Sequence, residues 1–318
     1  PTVVSLLSDT LAWVSIGLFV GGWLLQRRFP DRGLQLAVAA WAVFAVFWLQ
    51  LVPHFAFVHK SYIEAILAVA AVPASLYTGH LLWGGRHSLL VLSRAVAIMG
   101  LIYLPFETIP ALTVGTVALP APRAVLIETV FEQTRMIVEG LGYRPELEPG
   151  DAGLQNTFVF YDGDHRLSVA VVLACTGLGS IAIFAGLIGA VEAPRSRKLR
   201  ALAIAVPIIY ALNLLRTSFI TIMFGNQYMQ WFTDEVLMLF GASDPYMVSF
   251  FISDRIISQA LAVIVLVGLI YVVLRELPEL ATIIEDGLYL LAGEEHDLRQ
   301  LIAWAGPDGH PGPPTPPP

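Results

Sequence analysis

Long apolar runs alternate with short polar breaks along most of the chain. Residues 11–25, 34–52, 62–83 and 89–106 form four such runs, with Pro53 closing the second and Pro73 inside the third. After a polar interruption, three more follow at residues 169–191, 201–224 and 247–274. A helix needs about 18–20 apolar residues to cross the hydrocarbon core, and nearly every run reaches or approaches that length. The pattern predicts an all-α polytopic membrane protein with about seven transmembrane helices.

Between the fourth and fifth runs the pattern changes. Residues 107–168 are rich in Pro, Gly and acid and predict an α+β insert. Ile127, Val130, Phe131, Ile137, Val138 and Leu141 recur at helical spacing, which predicts a helix over 124–141. Residues 157–161 and 167–171 read as two strands joined at Asp162-Gly163-Asp164. The second strand is placed to run straight into the fifth span. The chain thus divides into helices one to four (1–106), the insert (107–168), helices five to seven (169–275) and a remainder (276–318). Residues 275–305 are amphipathic and suit the membrane surface, and the proline-rich 310–318 predicts a disordered tail.

Charge orients the spans. Arg27, Arg28 and Arg32 follow the first run, and Arg86 with nearby Arg94 follows the third. Arg195, Arg197, Lys198 and Arg200 follow the fifth, whereas the loops after the second and sixth hold only Lys60 between them. Basic loops stay cytoplasmic. The expectation is an N-terminus outside, a cytoplasmic C-terminus and an insert facing the exterior of the cell membrane. Asp9 before the first run and arginines after it reverse the order of a cleavable signal peptide, so that helix is expected to be retained.

Composition agrees with the pattern. Of 318 residues, 56% are hydrophobic and only 14% charged, against roughly a quarter charged in soluble domains. A net charge of −7 offers no footprint for nucleic acid. One cysteine, Cys175, excludes an internal disulfide and a cysteine-cluster metal site. No metal-ligand spacing is present, His54 and His59 read as solvated loop residues, and no cofactor is implied.

The candidate chemistry lies in the last three spans. Cys175 sits in Ala174-Cys-Thr-Gly-Leu-Gly-Ser180, and the next two spans carry Arg216 and Arg255, costly residues inside a membrane. At 1.5 Å per residue, Cys175 falls roughly 9 Å below the outer boundary and Arg255 roughly 12 Å, with Arg216 at a similar depth. Spans running in alternating directions thus bring three reactive residues to one layer. A guanidinium stabilises a thiolate and can hold the oxyanion of an acyl intermediate. Arginine is a poor proton donor, so the general acid stays open among His165, Asp164 and Asp254. Each residue also has a plainer use. A buried free cysteine is usually packing, and a membrane arginine can pair with an acid or snorkel. Gly17, Gly21, Gly177 and Gly179 could serve close helix packing. An anion transporter or a membrane scaffold therefore remains in competition with an enzyme.

Ala174-Cys175-Thr176-Gly177, then Asn213-Leu-Leu-Arg216, then Asp254-Arg255, one motif per successive span, resemble the exosortase/archaeosortase family. The third position is Arg255 here, as in the archaeal branch, where bacterial members carry histidine. The resemblance implies a membrane-embedded cysteine transpeptidase or protease, with Cys175 as nucleophile and Arg216 and Arg255 completing the catalytic set. Asn213, Thr176, Gly177, Asp254 and His165 would support it. The implied partner is a secreted protein, such as S-layer glycoprotein, bearing a C-terminal sorting signal. That signal is a Pro-Gly-Phe type motif, a transmembrane helix and a basic cluster. The implied acceptor of the new C-terminus is a membrane lipid.

Overall fold

The computed structural model describes residues 3–58, 62–114, 117–150 and 153–292. His59, Lys60, most of the C-terminal half of the amphipathic segment and the proline-rich tail lie outside these. Among the described residues, six helical runs are long and apolar enough to cross a membrane. They include helices α1 (Val3–Gln26), α2 (Pro30–Pro53), α3 (Tyr62–Trp83) and α4 (Leu89–Thr108). The other two are a later helix, Arg195–Gly225, and the run Pro245–Glu276. The architecture is a multi-pass helical membrane protein with a small sheet-bearing insert, as the hydropathy pattern requires.

Two compact units make up the chain. The first comprises residues 1–104, 183–202 and 273–318, the second residues 105–182 and 203–272. In the first unit, Ile16, Phe19, Ala40, Trp41, Leu82, Leu89 and Ala97 form a buried cluster. Phe19 meets Trp41 edge-on at 5.1 Å, and the Trp41 indole N–H donates to Ser93 Oγ at 2.9 Å, so its polar edge is satisfied within an apolar layer.

The second unit holds the insert. Strands β1 (Leu112–Val114) and β2 (Val117–Leu119) form a hairpin that the hydropathy pattern did not reveal, because each is only three residues long. Helix α5 (Pro122–Gly140) follows, then strands β3 (Glu146–Pro149), β4 (Gln155–Asp162) and β5 (His165–Ala170). The last three form an antiparallel sheet in the order β3-β4-β5. Helix α5 buries Ile127, Val130, Phe131, Thr134 and Val138, while Leu141, expected on that face, is exposed beyond the helix end. Phe131 packs on Phe158 of β4 with ring centroids 4.4 Å apart.

The fifth span departs most from expectation. Helix α6 (Leu178–Ala190) has 13 residues, about 20 Å of rise, short of a roughly 30 Å core. The residues before it are not helical. They finish β5 and enter a 3-10 turn, Leu173–Thr176. An apolar run suits a buried strand as well as a helix, and Val169, Val171 and Val172 favour the strand. Helix α7 (Arg195–Gly225) is 31 residues long and takes in the basic run that the sequence reading treats as a loop. Helix α8 (Thr233–Phe240) interrupts the next connection, and the last span, α9 (Pro245–Glu276), contains a π-helical stretch, Phe251–Ser258. Pro53 does not end the second span, because a π-helical turn, His54–Val58, continues it and takes His54 out of the expected loop. A wider turn absorbs the register that proline disturbs.

Several basic residues of the first unit are paired with carboxylates. Helix α10 (Leu280–Ala292) supplies the buried Asp286, which accepts from Arg86 Nη2 at 3.0 Å and Ser88 Oγ at 3.1 Å. Arg197 meets Glu279 at 2.5 Å, and Arg94 bonds both Glu192 and Gln26. The hydrogen bond and charge of Arg94 hold the exposed Glu192 carboxyl below the usual carboxylate range.

Three of the four glycines expected at close contacts do not sit at one, and Gly177 alone of them does. A methyl at Gly17 or Gly179 would meet nothing within 4 Å, and one at Gly21 would touch only Leu36 at 3.7 Å. At Gly186 it would stand 2.6 Å from the Ala95 carbonyl oxygen, backbone that cannot swing aside. Gly186→Ala should therefore lower stability by about 1–3 kcal/mol through overpacking. Gly17→Ala should be neutral or stabilising by up to about 1 kcal/mol through helix propensity. Thermal unfolding of the two variants in detergent checks the contrast.

Candidate functional site

Cys175 lies on a sharp connection between a strand and a helix. Val171, buried just past β5, still donates to the Asn156 carbonyl at 2.8 Å. The chain then turns through Leu173–Thr176, where the Cys175 N–H donates to the Val172 carbonyl at 2.8 Å. Buried Thr176 stabilises the turn from inside, with its hydroxyl donating to Leu173 O at 2.7 Å and accepting from Leu178 N–H at 3.3 Å. Gly177 reverses the chain with φ of +75°, a conformation that disfavours a side chain. A methyl there would also stand 3.2 Å from Asn213 Cβ.

Helix α7 anchors this turn. Asn213 Nδ2 donates to the Cys175 carbonyl oxygen, and Thr217 Oγ1 lies 3.4 Å from the same atom while donating to Asn213 O at 2.9 Å. The thiol's own main chain is thus tethered by two side chains one helical turn apart. Between them in the chain, Arg216 points its guanidinium to Asp254 on the π-helical stretch, Nη2 to Oδ1 at 2.6 Å. Arg255 reaches the other carboxylate oxygen, Nε to Oδ2 at 3.4 Å.

The structure therefore gathers around α7 a cluster of two halves: the Cys175-Thr176-Gly177 turn held by Asn213 and Thr217, and Arg216 with Asp254 and Arg255. Arg255 enters it through Asp254 and is about half exposed. His165 and Asp164 do not join it. His165 opens β5, about 17 Å along the strand from Ala170, and stacks flat on Tyr246 at 3.7 Å. Asp164 sits in the hairpin turn before it. Among the candidate acids, Asp254 alone is at the cluster, held as an acceptor between two guanidinium groups.

Thr217 is the participant the sequence reading missed. Its signal was present: Asn213, Arg216, Thr217 and Thr221 fall at helical spacing, a polar stripe within an apolar span. The π-helical stretch had no such signal. π-Helical turns gather at functional sites, and this one carries both Asp254 and Arg255.

The model of a family described as transmembrane exosortase (Exosortase_EpsH) matches residues 6–252. The chain belongs to that family. The match spans Cys175, Asn213 and Arg216 and stops two residues before Asp254. Archaeosortase A of Haloferax volcanii is 66% identical over 297 residues, 93% of this chain and 98% of that protein. Archaeosortase A of Natronomonas pharaonis is 41% identical over 295 residues, 89% of each. No solved structure matches.

The charges of Arg216 and Asp254, on the elements beside the Cys175 turn, should alter the reactivity of the thiol. Removing the Asp254 charge with Asp254→Asn leaves Arg216 free to face the sulfur, so labelling by a small maleimide should quicken severalfold. Arg216→Gln should slow it by a similar factor. Labelling rates of Cys175 in the purified protein check both, with fold confirmed by thermal unfolding.

Proposed function

We propose that this exosortase-family protein is a membrane-embedded cysteine transpeptidase that removes the C-terminal sorting signal of secreted proteins. The observation that carries the reading is the tether of the Cys175 turn to the helix that also bears Arg216. It keeps nucleophile and guanidinium at a fixed spacing, which is what a reaction with a developing oxyanion needs. The name archaeosortase A on both relatives points the same way.

In this reading Cys175 attacks the scissile carbonyl as thiolate while Arg216 faces the developing negative oxygen. The peptide C–N bond breaks, and the departing amine takes up the proton that the thiol released. A thioester remains on Cys175. A nucleophile on a membrane lipid headgroup, or water, then attacks it and restores the thiol, transferring or freeing the new C-terminus. Asp254 orients Arg216 and holds Arg255 alongside. The substrates are secreted proteins such as S-layer glycoprotein, whose C-terminal helix enters sideways from the bilayer. The N-terminus and the insert face the exterior, the C-terminus faces the cytoplasm, and the site opens near the outer interface. That depth suits a scissile bond just outside a substrate helix.

Cys175→Ala should abolish processing of a sorting-signal substrate. Arg216→Lys should lower it on the order of 10²-fold, because a point charge does not replace a planar fork. Appearance of the shortened substrate on gels checks both. Normal processing by Cys175→Ala, the behaviour of a transporter or scaffold, overturns the reading.

A further inference from the structure

The sheet of the second unit ends on an unpaired strand. Strand β5 has β4 on one side and, among the described residues, no strand on the other. Its register is fixed: Ala170 lies opposite Thr157, Ser168 opposite Val159 and Arg166 opposite Tyr161. Val171 donates to Asn156 across the same ladder. In an antiparallel pair the bonded residues alternate. His165, Leu167, Val169 and Val171 therefore turn their main-chain groups toward β4. Arg166, Ser168 and Ala170 turn theirs away, and all three residues are exposed.

An open row of this kind is a template for another strand. Here it leads somewhere. Five residues beyond Ala170 the same chain reaches Cys175, through a turn bolted to α7. At the other end, the His165–Tyr246 stack ties the start of β5 to the beginning of the last span. The edge is thus held at both ends, and its direction runs from the hairpin tip to the thiol.

We propose that the free edge of β5 receives the extended substrate segment just N-terminal to the scissile bond, as a fourth strand parallel to β5. This rests on the transpeptidase reading above. A substrate whose folded part lies outside and whose last helix lies in the bilayer travels in the same direction as β5. Parallel pairing then carries its scissile bond toward Cys175, whereas antiparallel pairing would carry it away. Three outward-facing residues span a segment of about six, roughly 20 Å of extended chain. Because main-chain bonds supply the affinity, the edge accepts any substrate with an extended, unobstructed approach segment.

Proline tests this at a position where it removes only the outward donor. The Ser168 N–H makes no bond to β4, and edge strands tolerate proline at such sites. Ser168→Pro should raise KM for a sorting-signal substrate about tenfold or more while Cys175 still labels with maleimide. Ser168→Ala, which restores the N–H, should process far better than Ser168→Pro. Equal processing by the two, with Cys175→Ala inactive, overturns the edge and leaves the transpeptidase reading standing. Processing by Cys175→Ala overturns that reading itself. If Ser168→Pro fails to fold, disulfide trapping decides. In a Cys175→Ala, Ser168→Cys protein, single cysteines placed along the substrate upstream of its cleavage site should trap at alternate positions. Absent or non-alternating trapping overturns the proposal.

Discussion

The Cys175 carbonyl oxygen is the point on which the site depends. Near a membrane a main-chain carbonyl left without a donor is costly. Asn213 and Thr217 meet that need from α7. Their helical spacing places Arg216 on the same side of the helix, so the bonds that stabilise the turn also set where the guanidinium lies. Satisfying one backbone acceptor and assembling a reactive cluster are a single structural act.

The second organising force is charge. Among the described residues, several arginines in or near the spans have a carboxylate beside them. Arg216 and Arg255 share Asp254, and Arg86 lies on Asp286 and over the Tyr289 ring at 3.7 Å. The two sets differ in consequence. Asp286 is buried and also takes the Ser88 hydroxyl, an arrangement whose effect is to fix helix α10 against α3 and the turn that follows it. Asp254 is shared by two guanidinium groups, and that of Arg255 is about half exposed, so this pairing is less sealed than the one at Asp286.

The insert contributes geometry as much as cover. Phe160 of β4 fits against Gly225 at the end of α7, where a methyl would lie 2.4 Å from the ring. Tyr210 on α7 donates to Gln133 on α5 at 2.5 Å. These contacts lock the sheet to the helix that anchors Cys175, and the strand leading to the thiol inherits that rigidity. A loop in place of β5 would leave the nucleophile to wander, since fixed position is what converts a nearby thiol into a reactive one.

Hydropathy and charge by themselves determined the membrane class, the number of apolar runs to within one, the place of the insert and its β4–β5 hairpin. They also singled out Cys175, Arg216 and Arg255, because a lone thiol and lone arginines stand out wherever their surroundings are apolar. Three matters needed the tertiary structure. The fifth helix begins only at Leu178, because the chain stays paired with β4 as far as Val171 and then turns through Leu173–Thr176, where the apolar run alone reads as continuous helix. Asp254 is a bridge between arginines because a π-helical stretch turns it there, and backbone register has no signature in composition. Thr217 matters only through an oxygen 42 residues earlier in the chain, since a hydrogen bond depends on where two segments meet.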